Sequence, residues 1–426
     1  MKFRDLLIVS LVLIFGSVIG CSGGGQSSQA AEGPIVLEFI TNQVVEGDPG
    51  AVAIANRVRD FNTAYSGRYQ VNIVPIPEHT QMKNRLQTNA ASDTPMDLFW
   101  VIDDIRSEEF WANGYLADLT PYIDTEFRSW KSDEHWADVT KDGEIQGVPY
   151  FSTLIGIYYN KEIFAEAGVQ LPIRNWDQFF AAGDKIKAAG YVPLALDTLN
   201  TAWLTMLTYS AYVGGLMGPD YLAARADFDD PEFARGAEFL KKMLDYTTDD
   251  VVGVIYDIAA NYFIQGQAAM IPNGGWMIGQ FGEEFSSKVG VIPFPGQTVN
   301  SNGLVIDGPI AKLVTSHHNT ENPARMAAII EFMKFFSQPD NIRKTIIESG
   351  NSYTGTVSFS ASDPLNPILA ELFNAAQAAD FSIPRIRDTV PPGFYSGFEE
   401  EIAKFWNGSV NTAQFIRNLN EKTYGE

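Results

Sequence analysis

Cys21 is the only thiol among 426 residues, and histidine occurs four times. A lone cysteine forms no intramolecular disulfide, and with so few imidazoles a transition-metal site would have to be built mainly from carboxylates. The chain has no Gly-x-Ser-x-Gly elbow, no HExxH pair, no Cys/His cluster and no phosphate-cradling glycine loop, the patterns that carry nucleophilic, zinc and phosphate chemistry. No catalytic residue, metal or cofactor is therefore expected. What stands out instead are planar polar groups and aromatic rings at the ends of apolar segments. Asn42 and Gln43 follow the apolar segment Ile35 to Ile40, and Trp100 and Asp103 close the segment Asp97 to Asp103. A flat ring excludes water from an apolar ligand face, while carboxamides and carboxylates pair with neighbouring polar atoms. The competing readings are core packing for Trp100 and helix capping for Asp103.

Such groups need strands to present them. Ile35 to Ile40, Tyr69 to Ile76 and Met96 to Val101 read as strands, and Ala51 to Tyr65 and Thr80 to Ala91 as helices between them. Strand and helix in alternation predict right-handed crossovers and a mostly parallel sheet, with ligands bound beyond the carboxyl ends of its strands. A second α/β series starts at Gly156 to Asn160. It continues through a helix with Asn175 as N-cap and strands at Val192 to Leu196, Ala268 to Pro272 and Val289 to Pro293. Two sheets imply two lobes with a crevice between them, where concave sites are favoured.

The first twenty residues read as an address. Lys2 and Arg4 precede an apolar run from Leu6 to Gly20, shorter than the roughly 20 residues that span a bilayer. Val18-Ile19-Gly20-Cys21 resembles a lipobox, in which the thiol of Cys21 carries lipid after cleavage. Residues 22 to 29, rich in Gly, Ser and Gln, form a flexible tether with a reach of about 15–20 Å.

The segments Asp142 to Tyr150, Ile157 to Phe164, Asn175 to Phe179, Phe263 to Met270 leading to Asn273-Gly274-Gly275-Trp276, and Val289 to Pro293, in this order, resemble family 1 extracellular solute-binding proteins. These are the substrate-capturing subunits of ABC importers for sugars. The resemblance implies an α/β, two-lobed fold of the periplasmic-binding-protein type, each lobe a mixed sheet flanked by helices. It implies crossings near Pro149 to Thr153, Gly303 to Gly308 and Asn351 to Gly355. The expected organisation is a signal peptide (1–20), a tether (21–33), one lobe from 34–150 with 306–352, and a second from 151–305 with 353–426. The implied partners are a carbohydrate, ABC-transporter permease subunits and the membrane, through lipid on Cys21, with the chain acting as an extracytoplasmic monomer.

On this resemblance Trp276 matches a tryptophan that stacks on sugar, and Tyr395 stands where the family has another stacking tryptophan. Trp203 lies where the second lobe contributes contacts, and Trp100 with Asp103 matches a tryptophan and aspartate that touch ligand. Asp307, beside Gly308 and Pro309 at an expected crossing, faces the cleft or caps a turn. Each aromatic has core packing as its alternative. Tyr158-Tyr159 is read as structural rather than iron-binding, and His317-His318 as a solvated turn.

The composition, 45% hydrophobic, 19% charged and 12% aromatic, excludes a disordered chain. A net charge of -22 repels phosphate backbones and so excludes nucleic acid. Two alternatives stay open beside carbohydrate capture: the same fold binding a polyamine or other cation, and a glycan-active enzyme using paired carboxylates.

Overall fold

The described residues form eleven strands, most of them on apolar segments: β1 (Ile35–Thr41), β2 (Tyr69–Pro75), β3 (Leu98–Ile102), β4 (Thr140–Lys141), β5 (Glu144–Ile145), β6 (Val148–Asn160), β7 (Val192–Leu194), β8 (Ala268–Gly274), β9 (Val289–Ile292), β10 (Leu304–Val314) and β11 (Phe381–Ile383). The computed structural model describes residues 33–425 except 45–47, 103–109, 111–112, 200, 219–227, 361 and 392. Cys21, the address segment and Asp103 lie outside the described residues.

Local chemistry sets the helices between these strands. Asp48 accepts a hydrogen bond from the Ala51 N–H at 2.9 Å, and Pro49 opens helix Pro49–Ala64 where its missing N–H costs nothing. Asn175 caps helix Trp176–Ala188 by accepting from Gln178 N–H at 2.9 Å, as its sequence predicts. In the half of the molecule that holds β1 to β3, Phe61 meets Phe332 edge-on at 5.2 Å. In the half that holds β7 and β8, Tyr212 stacks on Phe239 at 4.0 Å, and Trp176 meets the same ring edge-on at 4.7 Å. β8 lies between β6 and β7, and all seven of its residues are buried, which accounts for the apolar run Ala268 to Pro272.

The expected pair of separate sheets is one continuous nine-stranded sheet, in the order β2-β1-β3-β10-β6-β8-β7, with β11 on β10 and β9 on β6. β1 is parallel to β2 and β3, and β7 to β8, but β10 runs antiparallel to β3 and β6, and β6 antiparallel to β8 and β9. The reason is the length of β6 and β10. One end of β10 (Ala311 to Val314) pairs with β3, and its other end reaches Leu154 on β6. The far end of β6 then pairs with β8 and β9, so these two strands carry hydrogen bonding from one half of the molecule to the other. Their ladder shifts register between Gly308 and Ala311, where it passes between the halves. A third connection follows at Tyr353, which bridges to Phe151. No helix among the described residues is long and apolar enough to cross a membrane.

Candidate ligand-binding cleft

Trp276 sits in a 3-10 turn, Gly275–Gln280, directly after β8, rather than opening an α-helix. A Cβ on Gly274 would fall 2.1 Å from Cζ3 of Trp276, so the indole lies flat on backbone that only glycine leaves clear. The indole N–H donates to the Tyr256 hydroxyl at 3.3 Å, and Asn273 Nδ2 donates to the same oxygen at 3.0 Å. Burial pushes the Tyr256 phenol up to about 12, against those two donors, so it stays protonated. With its N–H engaged and its ring half-buried, Trp276 has a ring face to offer a ligand.

Trp203 lies beside it, ring centroids 6.3 Å apart and planes tilted by 50°. It begins helix Trp203–Met217, whose N-cap is Ala202, a residue with no capping group. Asp197 takes that role from five positions upstream, accepting N–H bonds from Trp203 at 3.2 Å and Leu204 at 2.8 Å. Thr201 and Ala202 both have positive φ (95° and 48°), a strained turn that Glu399 holds by accepting the Thr201 N–H at 2.9 Å. Burial raises the Asp197 carboxyl to about 7, although the helix N–H groups oppose it.

Two arginines meet the outer face of this aromatic pair. The Arg387 guanidinium lies 4.1 Å from the Trp203 ring centre and 4.7 Å from that of Tyr395, and it donates to the Tyr395 hydroxyl. Arg385 lies 5.1 Å from the Trp203 ring. Asp307, on β10, reaches solvent, yet the crossing strands surround it closely enough to push its carboxyl up to about 6. Burial is the main cause; Asp138 adds to the shift and Arg385 opposes it.

The other half of the molecule contributes a second group. The amide of Gln43 is held at both ends: Oε1 accepts from the Tyr150 hydroxyl at 2.8 Å, and Nε2 donates to that of Tyr353 at 3.3 Å. Trp100 meets Phe151 edge-on at 6.1 Å and His79 at 5.7 Å. Only 5% of Trp100 is exposed, so it offers an N–H rather than a broad plate. Trp100 Nε1, Asn42 Oδ1 and Asn351 Oδ1 are buried and have no hydrogen-bond partner among the described residues. The turn carrying Trp276 abuts this group: the Cβ position of Gly275 is 3.7 Å from Asn351 Oδ1, and that of Gly279 is 3.0 Å from Pro49. The two groups therefore meet where the halves of the molecule pack against each other.

The sequence pattern that defines the bacterial extracellular solute-binding proteins matches residues 45–342. The chain belongs to that family. A putative binding protein of Brucella abortus is 25% identical over 259 residues, 58% of this chain and 61% of that protein, so the chain spans about three fifths of the length of that relative. The multiple sugar-binding protein of Streptococcus mutans is 22% identical over 330 residues, covering 74% of this chain and 75% of the relative. Among solved structures, a chitin oligosaccharide binding protein superposes with a TM-score of 0.80 at 20% identity, over 91% of this chain and 98% of that one. At that identity the likeness concerns the fold, two lobes of mixed sheet flanked by helices.

In this chain the structure gathers Trp203, Trp276 and Tyr395 into one cluster, and Arg385, beside Trp203, is near enough to Asp307 for its charge to oppose the raised carboxyl. It places Asn42, Gln43 and Trp100 across the seam. Sequence reasoning missed Arg385, Arg387, Tyr256, Tyr353 and Asn351. A signal existed for the arginines: two cations two residues apart, after Pro384, in a strongly acidic chain.

Proposed function

We propose that this protein captures a carbohydrate in the seam between its lobes and delivers it to the permease of an ABC importer. The observation that supports this reading is the cluster of Trp203, Trp276 and Tyr395, whose Trp276-bearing turn abuts Asn351, one of three residues with an unpartnered buried polar atom, beside Asn42 and Trp100. Aromatic faces suit the C–H patches of a sugar ring, and lone donors and acceptors at the rim suit its hydroxyls. The name of the Streptococcus mutans relative supports the same class of solute. Two guanidinium groups against Trp203 disfavour a polyamine, whose like charge would be repelled there.

Lobes of 34–150 with 306–352 and 151–305 with 353–426 place the hinge in β6, β10 and the stretch around Tyr353. Ligand contacts made to both lobes favour closure by differential affinity. Lipid on Cys21 tethers the extracytoplasmic monomer to the membrane, and the solute is released unchanged. A thermal-shift screen of the purified protein against neutral mono- and oligosaccharides, with polyamines as controls, tests the reading. A ligand at a hundred times its Kd adds about 2.7 kcal/mol, a rise of a few degrees. A rise with one saccharide class is expected. A response to polyamines alone, or hydrolysis of the oligosaccharide, would overturn the reading.

A further inference from the structure

At the opposite end of the sheet from the cleft, Asp93, His317 and His318 bring one carboxylate oxygen and two imidazole nitrogens within 4.8 Å of one another. The register fixes this position: Val314 pairs with Phe99 and Ala311 with Ile102, so residues beyond Val314 lie past the amino end of β3, whereas Asn42 lies past the carboxyl end of β1. We propose that these three residues form a binding site for a divalent transition metal of the zinc type.

The groups are held in place before any ion arrives. His317 approaches the Tyr115 carbonyl oxygen with its backbone N–H at 2.9 Å and its Nδ1 at 3.2 Å, which turns Nε2 outward, the arrangement by which a carbonyl orients a metal-binding imidazole. The two imidazole rings lie 4.0 Å apart, tilted by 33°, and His318 Nε2 is 2.9 Å from Asp93 Oδ1. The 3-10 turn His317–Glu321 is lashed to the segment after Asp93. Ser316 Oγ and Asn319 Nδ2 donate to the Met96 carbonyl at 3.0 and 2.8 Å, and the Tyr115 hydroxyl donates to the Thr94 carbonyl. Asp93 itself is fixed in a left-handed turn, φ 53°.

Zinc accepts two imidazoles and a carboxylate at bonds of about 2.0–2.2 Å, with ligand atoms about 3.3 Å apart, and a fourth position left to water. Asp93 is exposed and both histidines half-exposed, so small rotations close the remaining gap. Magnesium and calcium, which demand oxygen ligands, do not match two nitrogens. Asp93 and His318 are 225 residues apart in sequence, so the ion would tie the turn after helix His79–Ala91 to the turn before helix Pro323–Ser337. Such a cross-link stabilises mainly by restricting the unfolded chain. Half of the four histidines of the chain stand side by side here.

The test is calorimetric titration of the metal-stripped full chain, its Cys21 thiol alkylated, with zinc chloride in a non-coordinating buffer, alongside magnesium chloride. One equivalent of zinc binding at about 10 µM or tighter is expected, with no magnesium binding and a rise in Tm on zinc addition. His317→Ala, His318→Gln and Asp93→Asn should each weaken zinc at least about tenfold while saccharide binding in the cleft stays unchanged. Melting of each metal-free variant shows whether it is folded, and His318→Gln keeps a hydrogen-bonding group opposite Asp93 should His317→Ala unfold. Absence of zinc binding, or binding undiminished in all three variants, would overturn the site.

Discussion

Because a Cβ at position 274 would occupy the space of the Trp276 ring, the stacking surface depends on two residues rather than one. Trp276→Ala removes the ring and Gly274→Ala displaces it. Both should cost the same, at least about tenfold in saccharide affinity, or about 1.4 kcal/mol. Trp276→Phe should keep most of the binding, since the lost N–H bond runs to Tyr256 and not to the solute. Wild-type affinity in Gly274→Ala, measured by calorimetry, would show that the indole does not carry the sugar. Gln43 acts differently. Its amide is consumed in positioning Tyr150 and Tyr353, so its contribution to the site is to hold those two rings beside the crossing strands.

Helix Trp203–Met217 shows how an element is started by a residue outside it. Ala202 supplies no cap, and the buried carboxylate of Asp197 takes the first N–H groups instead. Asp197→Ala should destabilise the fold by about 1–2 kcal/mol, the usual cost of a lost cap, and shift Trp203. The pH dependence follows from burial. The Asp197 carboxyl titrates near 7 in the folded chain and near about 3.9 when unfolded. Between those values the folded chain holds a proton that the unfolded chain has released. This contribution to stability is complete below the lower value and is lost as pH rises through the upper one. Asp307, raised to about 6, acts in the same direction. In urea unfolding, Asp197→Asn should therefore gain on the wild type as the pH is raised from about 5 to about 8. A difference that stays flat across this range would mean that Asp197 is ionised throughout.

The two halves of the molecule communicate through β6 and β10, whose ladder changes register beside Asp307. The third connection is pinned by Lys131, a buried lysine whose ammonium donates to the Thr354 carbonyl. If the lobes close on a solute, X-ray scattering should report a fall in the radius of gyration of roughly 1 Å, from about 22 Å for a compact chain of this size. At a solute concentration near the wild-type Kd the response should shrink about fivefold in Trp276→Ala. A radius unchanged at saturating saccharide would mean that binding occurs without hinge closure.

Features written within a few residues of one another were legible from the sequence. The alternation of strand and helix from Ile35 to Val101, the Asn175 cap and the family motifs from Asp142 to Pro293 are local patterns of periodicity, capping and turn chemistry, and the structure places them as read. The grouping of Trp203, Trp276 and Tyr395 was expected from the family resemblance, and the structure brings the three side chains together. Other features depend on contacts between distant segments. The fusion of two expected sheets into one requires β10 to pair with the first half of β6, across about 150 residues, while the second half of β6 pairs with β8 and β9. The stacking of Arg387 between Trp203 and Tyr395, the remote cap from Asp197, and the meeting of Asp93 with two histidines are of the same kind. Side-chain type is set by the chain, but which distant groups share a few ångströms is set by packing, because no local periodicity encodes the direction in which separate elements converge.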